Sequence, residues 1–134
     1  LIKTKTNIRI TGLFILGYPE ETLKDIEATI KFSTELKLDR ASFNNFMPLP
    51  GSDIYKELEA NGELDGLSGD EIYLYNAQYA PKSMSLRELK NLQLKAYFKF
   101  YFNLRVILGL IRETKSLLQI KLIFLRFLRI LRYN

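Results

Sequence analysis

Residues 12–26 read GLFILGYPEETLKDI. An apolar run, Leu13 to Leu16, stops at Gly17-Tyr18-Pro19 and passes straight into the paired acids Glu20 and Glu21. Just upstream, Ile8 and Ile10 alternate with polar residues, so a strand is expected over 7–17. Its continuous part is apolar on both faces, which fits a strand covered on both sides, as in a parallel sheet.

From Thr22 onward the apolar spacing is helical. Thr22 and Asp25 stand at capping-box spacing, with Glu20 and Glu21 adding negative charge at the helix start. Leu23, Ile26, Ile30, Phe32 and Leu36 are assigned to the buried half of the wheel, opposite Lys24, Glu27, Lys31 and Glu35. Residues 40–47, RASFNNFM, then alternate as a second strand, with Ser42 and Asn44 on one face and Phe43 on the other. Pro48 to Ser52, PLPGS, form a rigid turn, Ser52 caps a short helix, and Gly62 takes the C-terminal glycine position.

Strand, helix, strand, helix implies two parallel strands joined by a right-handed crossover. Such a unit belongs to a barrel or an open α/β sheet, and two strands complete neither. The chain, which begins on Leu1 without a charged-then-apolar leader, is therefore expected to be a fragment or a processed product with no signal peptide. In parallel α/β architectures ligands bind at the C-terminal strand ends. GYPEE and PLPGS would share that rim, where glycine permits close backbone approach and the first helix points its N-terminal amides.

Composition narrows the chemistry. Cysteine and histidine are both absent, which removes thiolate and imidazole metal sites and any Ser-His or Cys-His pair. No metal ligands or catalytic residues are assigned. Zero cysteine fits a reducing cytoplasm. The 134 residues suffice for one modest core. The charge of +5 is uneven: residues 96–134 hold eight Lys/Arg against the single Glu113, a net of +7, and the remainder is slightly acidic.

The segment from Gly12 to Leu58 resembles the later part of the radical S-adenosylmethionine (SAM) enzyme core. The likeness is strongest to the cobalamin-binding branch, with its anaerobic Mg-protoporphyrin ester cyclase-like and hopanoid methylase-like proteins. That family shows a strand G-F-I-x-G-L-P-G-E-T, a helix, and a strand ending P-x-P-G-T. Gly12, Phe14, Ile15, Gly17, Pro19, Glu21 and Thr22 match, and so do Pro48, Pro50 and Gly51. Tyr18, Glu20 and Ser52 depart from the usual Leu, Gly and Thr. The resemblance covers roughly residues 5–62.

The resemblance implies the C-terminal portion of a partial (β/α) TIM-type barrel, with these as about its fifth and sixth strands. It implies SAM bound across the strand ends. Ile15, Gly17, Pro19, Glu20 and Glu21 would lie near adenine and ribose, and Asn44, Phe46 and Pro48 would line the adenine pocket. Glu20 is equally readable as a helix-dipole acid, and Asn44 and Asn45 as barrel-interior residues. The family's chemistry is reductive SAM cleavage by a [4Fe–4S] cluster held by CxxxCxxC, with cobalamin as a further cofactor in the related branch. The cluster's cysteines are missing, so the parent would be the enzyme, acting on a small-molecule substrate, and this segment would need the N-terminal half barrel as partner.

Residues 1–62 are thus expected to be barrel, 63–85 an irregular connector, and 86–134 a helical extension. Ser85 and Glu88 form a second capping box opening a helix through about Ile111, and a last helix spans Ser116–Arg132. No apolar run reaches membrane-spanning length without a charge. In 116–132, Ile120, Ile123, Phe124, Phe127, Leu128, Ile130 and Leu131 form an apolar arc. Lys115, Arg126 and Arg129 lie opposite, with Lys121 and Arg132 on a shoulder. This helix would dock on the barrel or lie peripherally on an anionic membrane. Nucleic acid ranks last, since no recognised binding motif is present. A non-catalytic interaction module that uses this tail is the alternative function.

Overall fold

The computed structural model describes residues 8–64, 78–113 and 125. Strand β1 (Thr11–Leu16) is followed by helix α1 (Leu23–Glu35), strand β2 (Arg40–Asn45), helix α2 (Asp53–Ala60), helix α3 (Leu86–Tyr101) and helix α4 (Leu104–Glu113). The strands pair in parallel, Thr11 opposite Arg40 through Leu16 opposite Asn45. The α/β class and the strand–helix–strand–helix order agree with the sequence reading. A two-stranded sheet among the described residues does not by itself make a partial barrel. Residues 65–77 of the connector and the helix expected over 116–132 lie outside the described residues, apart from residue 125.

Local chemistry sets the helix starts. Thr22 and Asp25 form a reciprocal capping box on α1, and Ser85 and Glu88 do the same on α3. The Ser52 hydroxyl accepts the Tyr55 amide at the start of α2. Past the end of α2, Gly62 takes the left-handed conformation at φ 66°. The continuous helix expected from Ser85 to Ile111 is broken. Phe102 ends α3, and Asn103 starts α4 by accepting the Arg105 amide on its side chain at 3.0 Å. A local Asn cap competes with helix continuation and wins.

One face of the sheet is sealed. Leu16, Ala41 and Phe43 join Ile26 and Ile30 of α1 and Leu89, Leu92, Ala96 and Phe100 of α3 in a single core. Phe43 is fully buried, stacked on Phe14 at 5.1 Å and edge-on to Tyr97 at 5.3 Å. The α1 face is narrower than the wheel suggests: Ile26, Ile30 and Ser33 are buried, but Leu23 and Phe32 are exposed. Phe32 lies two residues beyond Ile30, about 200° round the helix, and so points outward.

Among the described residues the other face is uncovered along β1 and half-buried along β2. Leu13 is 76 % exposed and Ile15 59 %, beside Ser42 and Asn44 on β2. The strand expected to be covered on both sides is covered on one by the described residues.

The two strand edges differ as well. The main chain of Ala41 and Phe43 points away from β1 toward α3. The Tyr101 hydroxyl donates to the Ala41 carbonyl at 2.9 Å and accepts the Ala41 amide at 3.3 Å. Tyr97 bridges the Phe43 carbonyl and amide in the same way, at 3.2 Å each. Gln93 adds a bond to the Phe43 carbonyl at 2.7 Å. Spaced i, i+4, i+8 on one helix face, these three side chains take the place of a neighbouring strand. On β1 the Ile10 and Leu16 carbonyls bond to β2, so alternation turns the main chain of Thr11, Leu13 and Ile15 outward. Among the described residues no strand pairs with that edge.

This packing has two measurable consequences. Tyr101→Phe strands the Ala41 amide and carbonyl, while Tyr97→Phe strands the Phe43 amide and leaves its carbonyl to Gln93, so each lowers stability in urea denaturation, Tyr101→Phe the more, by about 1–3 kcal/mol. The second concerns acid. The Thr22 side chain and then its amide hold the Asp25 carboxyl below its usual range, the Ser85 amide and then its hydroxyl do so for Glu88, and Lys95 does so for Glu27. Depressed folded-state values mean stability that is present above the unfolded values and lost as pH falls through the folded ones. Thermal stability is therefore flat near neutrality and declines below about pH 4. Asp25→Asn and Glu88→Gln flatten that decline.

Candidate functional site

Parallel strands bring both C-terminal turns to one rim, and each turn is built from its own residues. After Leu16 the chain reverses through Gly17 at φ 79° and Glu20 at φ 70°. The Glu21 carboxylate reaches back to accept the amides of Gly17 at 2.7 Å and Tyr18 at 3.0 Å, and the Glu21 amide returns to the Tyr18 carbonyl at 3.0 Å. Ser83 donates its hydroxyl to the Glu21 carbonyl, tying the turn to the segment before α3. Glu21 is thus engaged within the turn. At the α1 N-terminus, expected to point its amides toward the rim, the capping box engages the Thr22 and Asp25 amides.

Gly17 carries two separate demands for glycine. Its φ lies in the left-handed region, and a Cβ there would stand 2.6 Å from Cδ2 of Leu89. The close approach expected from this glycine is an approach to α3. Glu20 adopts a comparable conformation with a full side chain, and that side chain is exposed.

The remaining predicted residues fall into two groups. Ile15 and Asn44 are register partners on the bare face, with Ser42 donating weakly to Asn44 at 3.4 Å. Phe46 sits on the rim, edge-on to Tyr18 at 4.8 Å and to buried Tyr79 at 5.8 Å. Pro48, the first residue of the second turn, is buried. Asn45 points to the opposite, helix-covered side, where its amide donates to Gln93 at 2.9 Å, so it is not a barrel-interior neighbour of Asn44.

Pro19 and Glu20 border a separate cavity of about 570 Å³, also lined by Tyr18, Glu57, Glu63 and Lys82. Lys82 pairs with Glu63 at 3.0 Å, and Tyr79 donates to Glu63 at 3.4 Å. Burial, then the Glu63 charge, pushes the Tyr79 phenol up to about 12, so it stays a neutral donor. Three carboxylates against one ammonium favour a cationic group in this cavity. Lys82 and Ser83 reach the rim from far along the chain, and no local pattern marks them. Among the described residues no group of acids gathers in the manner of a metal site.

No family model matches the chain, and no solved structure does. The chain is 31% identical over 104 residues to an uncharacterised methyltransferase of Pyrococcus horikoshii, covering 78% of this chain and 23% of that protein. It is 36% identical over 52 residues to the tRNA-2-methylthio-N(6)-dimethylallyladenosine synthase of Buchnera aphidicola subsp. Baizongia pistaciae, covering 39% of this chain and 12% of that one. The chain therefore spans less than a quarter of either relative.

Substitutions at the turn separate its two unusual positions. Gly17→Ala combines a left-handed Ala with a clash on Leu89 and lowers stability by about 2–5 kcal/mol in urea denaturation. Leu89→Ala opens a cavity of its own, but in that background Gly17→Ala adds only the backbone component, because the clash is gone. Glu20→Gly relieves a strained residue and raises stability by about 1 kcal/mol.

Proposed function

We propose that this chain is the C-terminal part of a radical SAM enzyme and supplies one wall of its SAM pocket. The observation that carries the reading is the pairing of Ile15 with Asn44 on a bare sheet face, directly below the rim formed by Gly17–Glu21 and Phe46. Exposed apolar surface beside a weakly held face amide is what a planar heterocycle requires: Ile15 packs on the ring, and Asn44 offers a donor and an acceptor. Tyr18 and Phe46 add an aromatic lip. Two relatives named for methyl transfer and methylthio installation support a sulfonium methyl donor as the ligand class. The sealed β2 edge and the open β1 edge support a position at the end of a larger sheet, with the preceding strands on the β1 side.

The [4Fe–4S] cluster does not fit this chain. With neither cysteine nor histidine, it has no thiolate or imidazole to offer iron. Cluster ligands, any cobalamin and the substrate site belong to the N-terminal half barrel of the parent. The residues of this chain bind and orient: Ile15 and Asn44 hold the ring, and the Glu21-clamped turn fixes the rim above them.

Titration of the isotope-labelled chain with SAM tests this directly. Amide shifts concentrated at Ile15, Asn44, Phe46 and Gly17–Glu21 are expected. Asn44→Ala, at a half-buried position, and Ile15→Asp, at an exposed one, weaken binding at least about tenfold, which is about 1.4 kcal/mol. No perturbation by SAM, or shifts confined to α2 and α4, counts against the reading.

A further inference from the structure

The strongest surface feature outside the rim is the outer face of α4. Leu104, Leu108 and Ile111 recur at i, i+4 and i+7 and are 69 %, 43 % and 63 % exposed. Val106 points the other way and is buried in the core. The helix therefore buries its narrower side and turns a row of large apolar side chains outward. Phe102, also exposed, extends the row at its start and packs on Phe98 with ring centres 5.6 Å apart. Arg105 and Arg112 flank the row on one shoulder.

Charge selects the occupant. The sequence from residue 96 onward carries eight Lys/Arg and only Glu113. A second copy docked on this row would bring cationic shoulders together. The chain's own segment 116–132 would do the same, because it is basic and amphipathic too. Docked through its own basic, apolar row, neither supplies counter-charge. An anionic lipid surface supplies both requirements, acyl chains for the apolar row and headgroups for the arginines.

We infer that α4 is a peripheral membrane-binding helix for anionic bilayers, with Phe102, Leu104, Leu108 and Ile111 entering the headgroup boundary. No helix among the described residues is long and apolar enough to cross a membrane, so the contact lies in the interface plane. The geometry also fixes orientation. Helix α3 starts at the rim, where Leu89 meets Gly17, and ends where Tyr101 meets Ala41. Arg105 in α4 then donates to the Leu36 carbonyl, at the end of α1. The apolar row thus occupies the pole opposite the rim, and a bound molecule turns its rim toward the aqueous side.

Co-sedimentation of the full chain with vesicles tests this. Phosphatidylcholine vesicles containing phosphatidylserine pellet the protein, phosphatidylcholine alone does so at least about tenfold less well, and added salt weakens the binding. The triple variant Leu104→Gln/Leu108→Gln/Ile111→Gln reduces binding at least about tenfold while its far-ultraviolet circular dichroism is unchanged. Because these side chains face solvent, folding is preserved; should the triple variant unfold, Arg112→Gln alone provides the same readout. Undiminished binding by the folded variant overturns the proposal and assigns any affinity to the tail. Equal binding to neutral vesicles overturns it, as does self-association in sedimentation velocity that the triple variant abolishes.

Discussion

The arrangement depends on two tyrosine hydroxyls. Tyr97 and Tyr101 each close an amide and a carbonyl on the outer edge of β2, with donor–acceptor distances between 2.9 and 3.3 Å. A buried strand edge left unpaired would forfeit those bonds and would invite another strand. By filling it, α3 stops the sheet at β2 and fixes its own position. That position places Leu89 against Gly17, Phe100 against Phe43 and Lys95 against Glu27 at 2.6 Å. The rim, the core and the placing of α4 at the opposite pole all depend on this one seam.

The molecule is consequently asymmetric in two directions. Among the described residues one sheet face is packed and the other is uncovered along β1, and one edge is sealed while the other turns the main chain of Thr11, Leu13 and Ile15 outward. Both open sides meet at β1, the strand whose sequence is apolar on both faces. A strand with that pattern expects cover from two sides. The described residues give it one, which is why a larger sheet, continued on the β1 side, is the natural setting for this chain.

The legible parts of the fold are those that local chemistry determines. Thr22–Asp25, Ser52 and Ser85–Glu88 are caps whose partners lie three residues apart, and all three stand where their spacing puts them. The split of Ser42 and Asn44 from Phe43 comes from strand alternation alone. Features that depend on distant residues are hidden in the sequence. Gly17 reads as a ligand-approach glycine until Leu89, more than seventy positions later, is seen to fill its space. Asn45 is indistinguishable from Asn44 until Gln93 claims it. The break at Asn103 is masked by an apolar pattern that continues through it, although its capping side chain is a local signal.

Closure of the sheet at β2 and its openness at β1 are tested most directly by amide hydrogen exchange of the chain, resolved by residue. The Ala41 and Phe43 amides, bonded to Tyr101 and Tyr97, should be protected, and those of Thr11, Leu13 and Ile15 should exchange rapidly. Protection of Leu13 and Ile15 equal to that of Ala41 and Phe43 would contradict this picture, because β1 would then already have a partner and no place for the rest of a barrel.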